Sequence, residues 1–135
     1  MEEIMKIILK AAPSLSLLIS VGASQAADPQ TFLKLYSAES QEAPSVQKGE
    51  KFFSSKHGNE WSCSSCHGMP PTGEGKHAST NKAIAPLAPS FNSDRFTDSA
   101  KVDKWFKRNC NDVLGRACTP SEKADVLAYL LSLKK

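Results

Sequence analysis

The feature that most constrains this chain is the run WSCSSCHGM at 61–69, which sets two cysteines and a histidine in the order Cys63-x-x-Cys66-His67. On a turn of helix, cysteines at this spacing can each form a thioether to one edge of a porphyrin. The next residue, His67, then lies beneath the iron as an axial ligand. The expected cofactor is therefore one covalent haem c per chain, with Cys63 and Cys66 as attachment points and His67 as the proximal iron ligand. A thioredoxin-like redox pair would sit in an α/β pattern, and none is visible. A structural zinc site would need a second close pair, whereas Cys110 and Cys118 are eight apart rather than two to four.

The 135 residues allow one domain. Lys6 and Lys10 precede the apolar run AAPSLSLLISV, and Ser24 and Ala26 follow as small residues suited to the −3 and −1 positions of a cleavage site. This predicts a secretory signal over 1–26, cleaved near Ala26, and one exported domain over 27–135. The run is too short, and too broken by serine and proline, to span a bilayer well. Glu2 and Glu3 suit a signal poorly, so Met5 is an alternative initiator to Met1. The balance of 17 Lys+Arg against 14 Asp+Glu is mild, and no basic run interleaves with aromatics, so nucleic acid is not an expected partner. A chain this small buries a modest core and gains from a cofactor or a cross-link. Export would place its cysteines in an oxidising compartment.

Four segments read as helices, and none alternates as a strand. In DPQTFLKLYSAES (28–40), Asp28 is the N-cap and Pro29 the first helical residue, with Phe32, Leu35 and Tyr36 on one face. In SVQKGEKFFSSK (45–56), Val46, Gly49, Phe52 and Phe53 form a stripe. A mid-helix glycine costs about 1 kcal/mol against alanine. Gly49 is thus either a point of close helix approach or simply tolerated. The third helix is expected over 98–114. The fourth, TPSEKADVLAYLLSLKK, opens with Thr119, Pro120 and the capping-box residue Glu122; Leu127, Leu130 and Leu131 make its apolar face with Tyr129 alongside. Residues 68–96 are rich in Pro, Gly, Ser and Asn, a loop long enough to imply function or wrapping. The expected fold class is all-α.

The sixth iron position can be approached by counting. The methionines are Met1, Met5 and Met69. The first two fall in the predicted signal, and Met69 is tethered to the proximal side two residues after His67. A methionine ligand is excluded. His57, His77, an asparagine, a lysine or an open site remain. His57 reads as a polar helix end and His77 as a surface residue, with a bis-histidine site through His77 still open.

On 98–114, stepping about 100° per residue from Val102 puts Trp105, Phe106 and Val113 within about 60°. Asn109 lies in the middle of that buried stripe, and Asn111 points away. A buried, unpaired amide costs a few kcal/mol, so Asn109 needs a partner. Loop backbone around a core asparagine is one; iron is the other. Cys110 and Cys118 bracket NDVLGRA, with Gly115 placed as a C-cap. They are the pair available for a disulfide once haem consumes Cys63 and Cys66, with two free thiols as the alternative.

Gly49, Phe52 and Phe53 ahead of the motif, and Tyr129 in ADVLAYLLSL, resemble the crossing helices of a class I c-type cytochrome. More specifically, WFKRNCNDVLGRACTPSEKADVLAYLLSL, some forty residues after the haem motif, is similar to the sphaeroides haem protein (SHP) family of monohaem cytochromes c. The resemblance covers most of 27–135. It implies a class I cytochrome c-like helical fold in which the Pro-rich segment wraps one haem edge and the carbonyl of Pro71 or Pro86 accepts the His67 hydrogen bond. It also implies that Asn109 ligates ferric iron and leaves on reduction, that Cys110 and Cys118 form a disulfide, and that ferrous haem then binds dioxygen or a similar small diatomic. A di-haem cytochrome c donor and a membrane cytochrome b are the partners it implies.

The leading expectation is an exported cytochrome that accepts an electron and opens its sixth site to bind or reduce a small molecule. A plain periplasmic electron carrier with a permanently six-coordinate haem is the alternative, and a sensor needing a separate output partner is a third. His77, Lys104 and Arg108 are candidate proton donors, and Lys56, Lys76 and Lys82 candidate guides for an acidic partner. Each also reads simply as a solvated side chain.

Overall fold

The computed structural model describes residues 27–135, so the predicted signal lies outside the described residues. Helix α1 (Pro29–Ser40) starts where expected: the Gln30 N–H donates to Asp28 Oδ1 at 3.0 Å, and Pro29 occupies the first turn. Helix α2 (Val46–Ser54) is capped by Ser45, whose Oγ accepts the Lys48 N–H at 3.2 Å. It ends two residues before the predicted Lys56. The Ser55 backbone N–H and hydroxyl both turn back to the Lys51 carbonyl, at 3.0 and 2.6 Å, and close the last turn.

A short helix, α3 (Cys63–His67), carries the cysteine-histidine motif. Within the predicted loop lies a hairpin, β1 (Gly75–Lys76) with β2 (Ala83–Ile84), in antiparallel register with Gly75 opposite Ile84. Two residues per strand are too few to produce an alternation readable in sequence, and the fold remains all-α in class.

Helix α4 (Ser99–Leu114) begins at Asp98, whose carboxylate accepts the Lys101 N–H at 2.9 Å. It ends at Gly115, left-handed at φ 70° with its N–H on the Asn111 carbonyl. Helix α5 (Pro120–Ser132) has the reciprocal cap read from sequence. Thr119 Oγ1 accepts the Glu122 N–H at 3.2 Å, and Glu122 Oε2 accepts the Thr119 N–H at 2.8 Å. Cys110 and Cys118 form a disulfide, with Cα atoms 5.5 Å apart, that ties the end of α4 to the start of α5.

Helix α5 is central: every residue from Ala124 to Leu130 is buried. One side packs with Phe32 and Tyr36 of α1 and Val102 of α4; the other packs with Phe53 of α2. Leu35, expected on the α1 face, is 49% exposed, because Phe32 and Tyr36 stack together and fill the contact with α5. Gly49 is a point of close approach: a Cβ there would overlap the Asp125 backbone carbonyl of α5. Among the described residues no helix is long and apolar enough to cross a membrane.

Candidate functional site

Helix α3 is set by its serines before its cysteines. Ser62 is buried, and its N–H donates to Ser65 Oγ at 3.0 Å while its hydroxyl meets those of Ser64 and Ser65. Gly68, at φ 77°, ends the helix one residue after His67. Gly75 of β1 presses on this end, since a Cβ there would overlap the Cys66 carbonyl. Just beyond the strand, the Ala78 N–H donates to Cys66 Sγ at 3.3 Å. The hairpin therefore fixes the position of Cys66, and neither Cys63 nor Cys66 is in a disulfide.

A cavity of about 490 Å³ is lined by Cys63, Cys66 and His67 from α3 and by Val102, Trp105 and Asn109 from α4. A smaller apolar recess of about 80 Å³ shares Cys63, His67, Trp105 and Asn109, and reaches Phe53 and the Cys110–Cys118 bridge. The fold thus brings the motif and Asn109 to the walls of one space.

Burial pushes the His67 imidazole down to about 4, and the positive charge of Arg95 adds to the effect. The ring is neutral at pH 7, the form in which imidazole ligates a metal. Burial also pushes the Cys63 thiol up to about 11. His67 Nδ1 is buried with no hydrogen-bond partner. Neither prolyl carbonyl expected to accept from it does so. Pro71 O takes the N–H groups of Leu87 and Ala88, each at 3.1 Å, and Pro86 O takes Asn92 Nδ2 at 3.2 Å and Arg95 Nε at 2.9 Å. A carbonyl has two lone pairs, and the loop uses both on each.

Asn109 is half-buried, one residue before the disulfide that anchors this end of α4. The stripe around it departs from expectation at one residue. Val102 and Val113 are buried and Phe106 packs edge-on to Tyr36 at 5.7 Å, but Trp105 is 45% exposed. Its indole borders the cavity instead of entering the core, flanked by Lys104 Nζ at 5.6 Å and Arg108 Cζ at 5.5 Å.

Of the other ligand candidates, Lys82, Lys101 and His77 also line the larger cavity, and His57 and Met69 do not. His57 is held by the Phe52 carbonyl at 2.8 Å, lies against the Phe52 ring, and lines neither cavity. His77 does line the larger cavity, with Nδ1 accepting from the Thr80 N–H at 3.3 Å. Met69 is 47% exposed, accepts the Tyr129 hydroxyl on Sδ at 3.4 Å, and lines neither cavity, in keeping with its exclusion as a ligand. The zinc alternative loses Cys110 and Cys118 to the disulfide, and among the described residues no group of three or more His, Cys, Asp or Glu is placed to hold a metal ion.

Arg95 was not singled out by sequence. It lines the larger cavity, half-buried, with Nη2 on the Ala85 carbonyl at 2.6 Å as well as Nε on Pro86. Its place immediately before Phe96, inside an otherwise polar turn, is the only trace it leaves in the sequence. Two unpaired cysteines one turn apart, a neutral half-buried imidazole beside them, an amide lining the same cavity and a half-buried cation make a donor set that fits a covalent haem with carboxylate side groups.

A family model described as a domain of unknown function (DUF1924) matches residues 39–130. Cytochrome c'' of Methylophilus methylotrophus is 49% identical over 98 residues, 70% of this chain and 68% of that protein. Its solution structure, whose subject is haem-ligand detachment, superposes with a TM-score of 0.69 at 44% identity, covering 79% of this chain and 94% of that one. The cytochrome c-type protein SHP of Cereibacter sphaeroides is 62% identical over 69 residues, 51% of this chain and 53% of that protein, so the chain matches about half of that relative's length. The structure of oxidised SHP, described as an oxygen-binding cytochrome c, superposes with a TM-score of 0.75 at 45% identity, covering 80% of this chain and 99% of that one.

Proposed function

This chain belongs to the SHP family of monohaem c-type cytochromes, and we propose that it is an exported haem c protein in which Asn109 guards the sixth iron position and yields it on reduction. Haem supplies a reversible one-electron couple and an iron position able to take a small molecule such as dioxygen. Cys63 and Cys66 would hold its edge through thioethers, His67 would ligate the iron, and the Asn109 amide would be the second protein ligand in the ferric state. An amide is a weak, neutral donor better matched to ferric than to ferrous iron, so reduction releases it.

The observation that carries this reading is that His67 and Asn109 line the same two cavities, with the disulfide anchoring the residue next to Asn109. Val102, Trp105 and Phe106 give the distal wall an apolar character, in which a displaced Asn109 amide retains a donor for a bound ligand. Arg95 is the half-buried cation available to the haem carboxylates. By family, the electrons come from a di-haem cytochrome c and the protein works alongside a membrane cytochrome b. Residues 1–26 act as the export signal and 27–135 as the cytochrome domain in the periplasm.

The test is carbon monoxide added to the anaerobically reduced holoprotein. Rapid, stoichiometric formation of a carbonyl spectrum supports an opened sixth site. An unchanged low-spin ferrous spectrum would favour a plain electron carrier with a permanently six-coordinate haem, in which His77 is the next residue to test because it alone of the spare histidines borders the cavity.

A further inference from the structure

Arg108 stands beside the proposed gate and has no carboxylate partner. The ion pairs among the described residues are Lys101–Asp98 at 4.0 Å and Arg116–Glu122 at 2.7 Å. Asp112, one helical turn on, lines the same cavity as Arg108 without pairing with it. The Arg108 guanidinium instead lies over the Trp105 indole, 5.5 Å from its centre, and Trp105 itself shares both cavities with Asn109. An aromatic face attracts a cation and orients a guanidinium without neutralising it. The result is a positive charge with no direct ion-pair partner, held over Trp105 on the cavity wall and adjacent in sequence to Asn109.

Lys101 and Arg108 both line the cavity from α4, seven residues apart, which is roughly 10 Å along a helix axis, so the two charges act at separate places on that wall.

Resting on the Asn109 gate described above, we propose that Arg108 biases the opened site toward small anionic ligands over neutral ones. With Trp105 as its platform, it raises the local concentration of an approaching anion such as azide, cyanide or nitrite and stabilises that anion once Asn109 has been displaced. It is a specificity residue for the ligand and holds no haem.

The experiment titrates the ferric holoprotein with azide and with imidazole at about pH 8, where imidazole is neutral, for wild type, Arg108→Gln and Arg108→Lys. Both ligands must displace Asn109, so any change in the strength of that bond moves both affinities together. Loss of the charge should weaken azide about five- to tenfold and leave imidazole within about twofold. The azide effect should shrink as salt rises, and Arg108→Lys should retain most of the preference. Azide and imidazole changing in parallel, a salt-independent loss, or equal losses in both variants would overturn the role of Arg108 while leaving the gate intact. Failure of ferric wild type to bind either ligand would overturn this inference, while the gate itself stands or falls on carbon monoxide binding to the reduced protein.

Discussion

Gly49 of α2 lies directly against the Asp125 backbone carbonyl of α5, and the Asp125 carboxylate accepts the Ser45 N–H at 2.7 Å on the same side of the crossing. The two contacts lock the helix before the haem motif to the most buried helix of the chain. Phe53 on α2, 1% exposed, packs 5.6 Å from the Tyr129 ring and 6.3 Å from His67, so the crossing also sets the wall behind the proximal histidine.

Gly49→Ala must therefore push the helices apart. Backbone cannot yield as a flexible side chain does, and overpacking of this kind costs about 1–3 kcal/mol or more. Gly73→Ala is the control, because a Cβ at Gly73 meets nothing within 4 Å. Denaturant titration should lower the midpoint for the first variant and leave the second near wild type.

Replacing Cys110 and Cys118 together by serine opens a bridge of sequence separation 8. Chain entropy alone predicts a loss of about 2.5 kcal/mol. Asn109 should also lose its fixed position, so the ferric spectrum of the double variant should acquire a high-spin component absent from wild type. Unchanged spin state with reduced stability would mean that the bridge only stabilises.

The helix caps were readable before the structure, while the place of Trp105 and the surroundings of His67 were not. Asp28, Thr119 with Glu122, and Gly115 act locally within a turn, so the caps they predict are found at the expected residues. The all-α class follows from similarly short-range patterns, whereas the Cys110–Cys118 bridge was expected only from the family resemblance and from haem taking the other two cysteines. Trp105 shows where helical periodicity stops: it marks which side of α4 is apolar, but not that this side changes from core at Val102 to cavity wall at Trp105. That His67 finds no prolyl partner was unreadable for a different reason. Which carbonyl is free depends on Asn92 and Arg95 folding back onto Pro86, contacts set by the path of the loop.

Tyr36 is buried at 2% exposure with its hydroxyl unpartnered, and burial pushes its pKa up to about 12, helped by the charges of Asp103 and Glu39. A group with a raised folded pKa contributes stability below its unfolded value of 10.0 that is lost as pH rises through 12. Tyr36→Phe removes both the stranded hydroxyl and this alkaline loss. It should be neutral to stabilising by about 1 kcal/mol at pH 7 and flatten the stability profile above pH 10, measured by chemical denaturation.

Glu122 behaves in the opposite sense. Its bonds from Arg116, and from the Thr119 N–H, hold its carboxyl below the usual range despite partial burial. Such a group contributes stability that is complete above its unfolded value of 4.5 and disappears as pH falls through the lower folded value. Acid titration of stability should therefore lose a component in Glu122→Gln, which is already unable to accept as a carboxylate at neutral pH.

The most direct test of the account is the optical spectrum of the holoprotein, oxidised and then reduced without oxygen, beside that of Asn109→Ala. Wild type should pass from low-spin ferric to high-spin ferrous, while the variant should be high-spin in both states. A wild-type spectrum that stays low-spin on reduction, or an Asn109→Ala ferric spectrum identical to wild type, would contradict Asn109 as the ligand released by reduction.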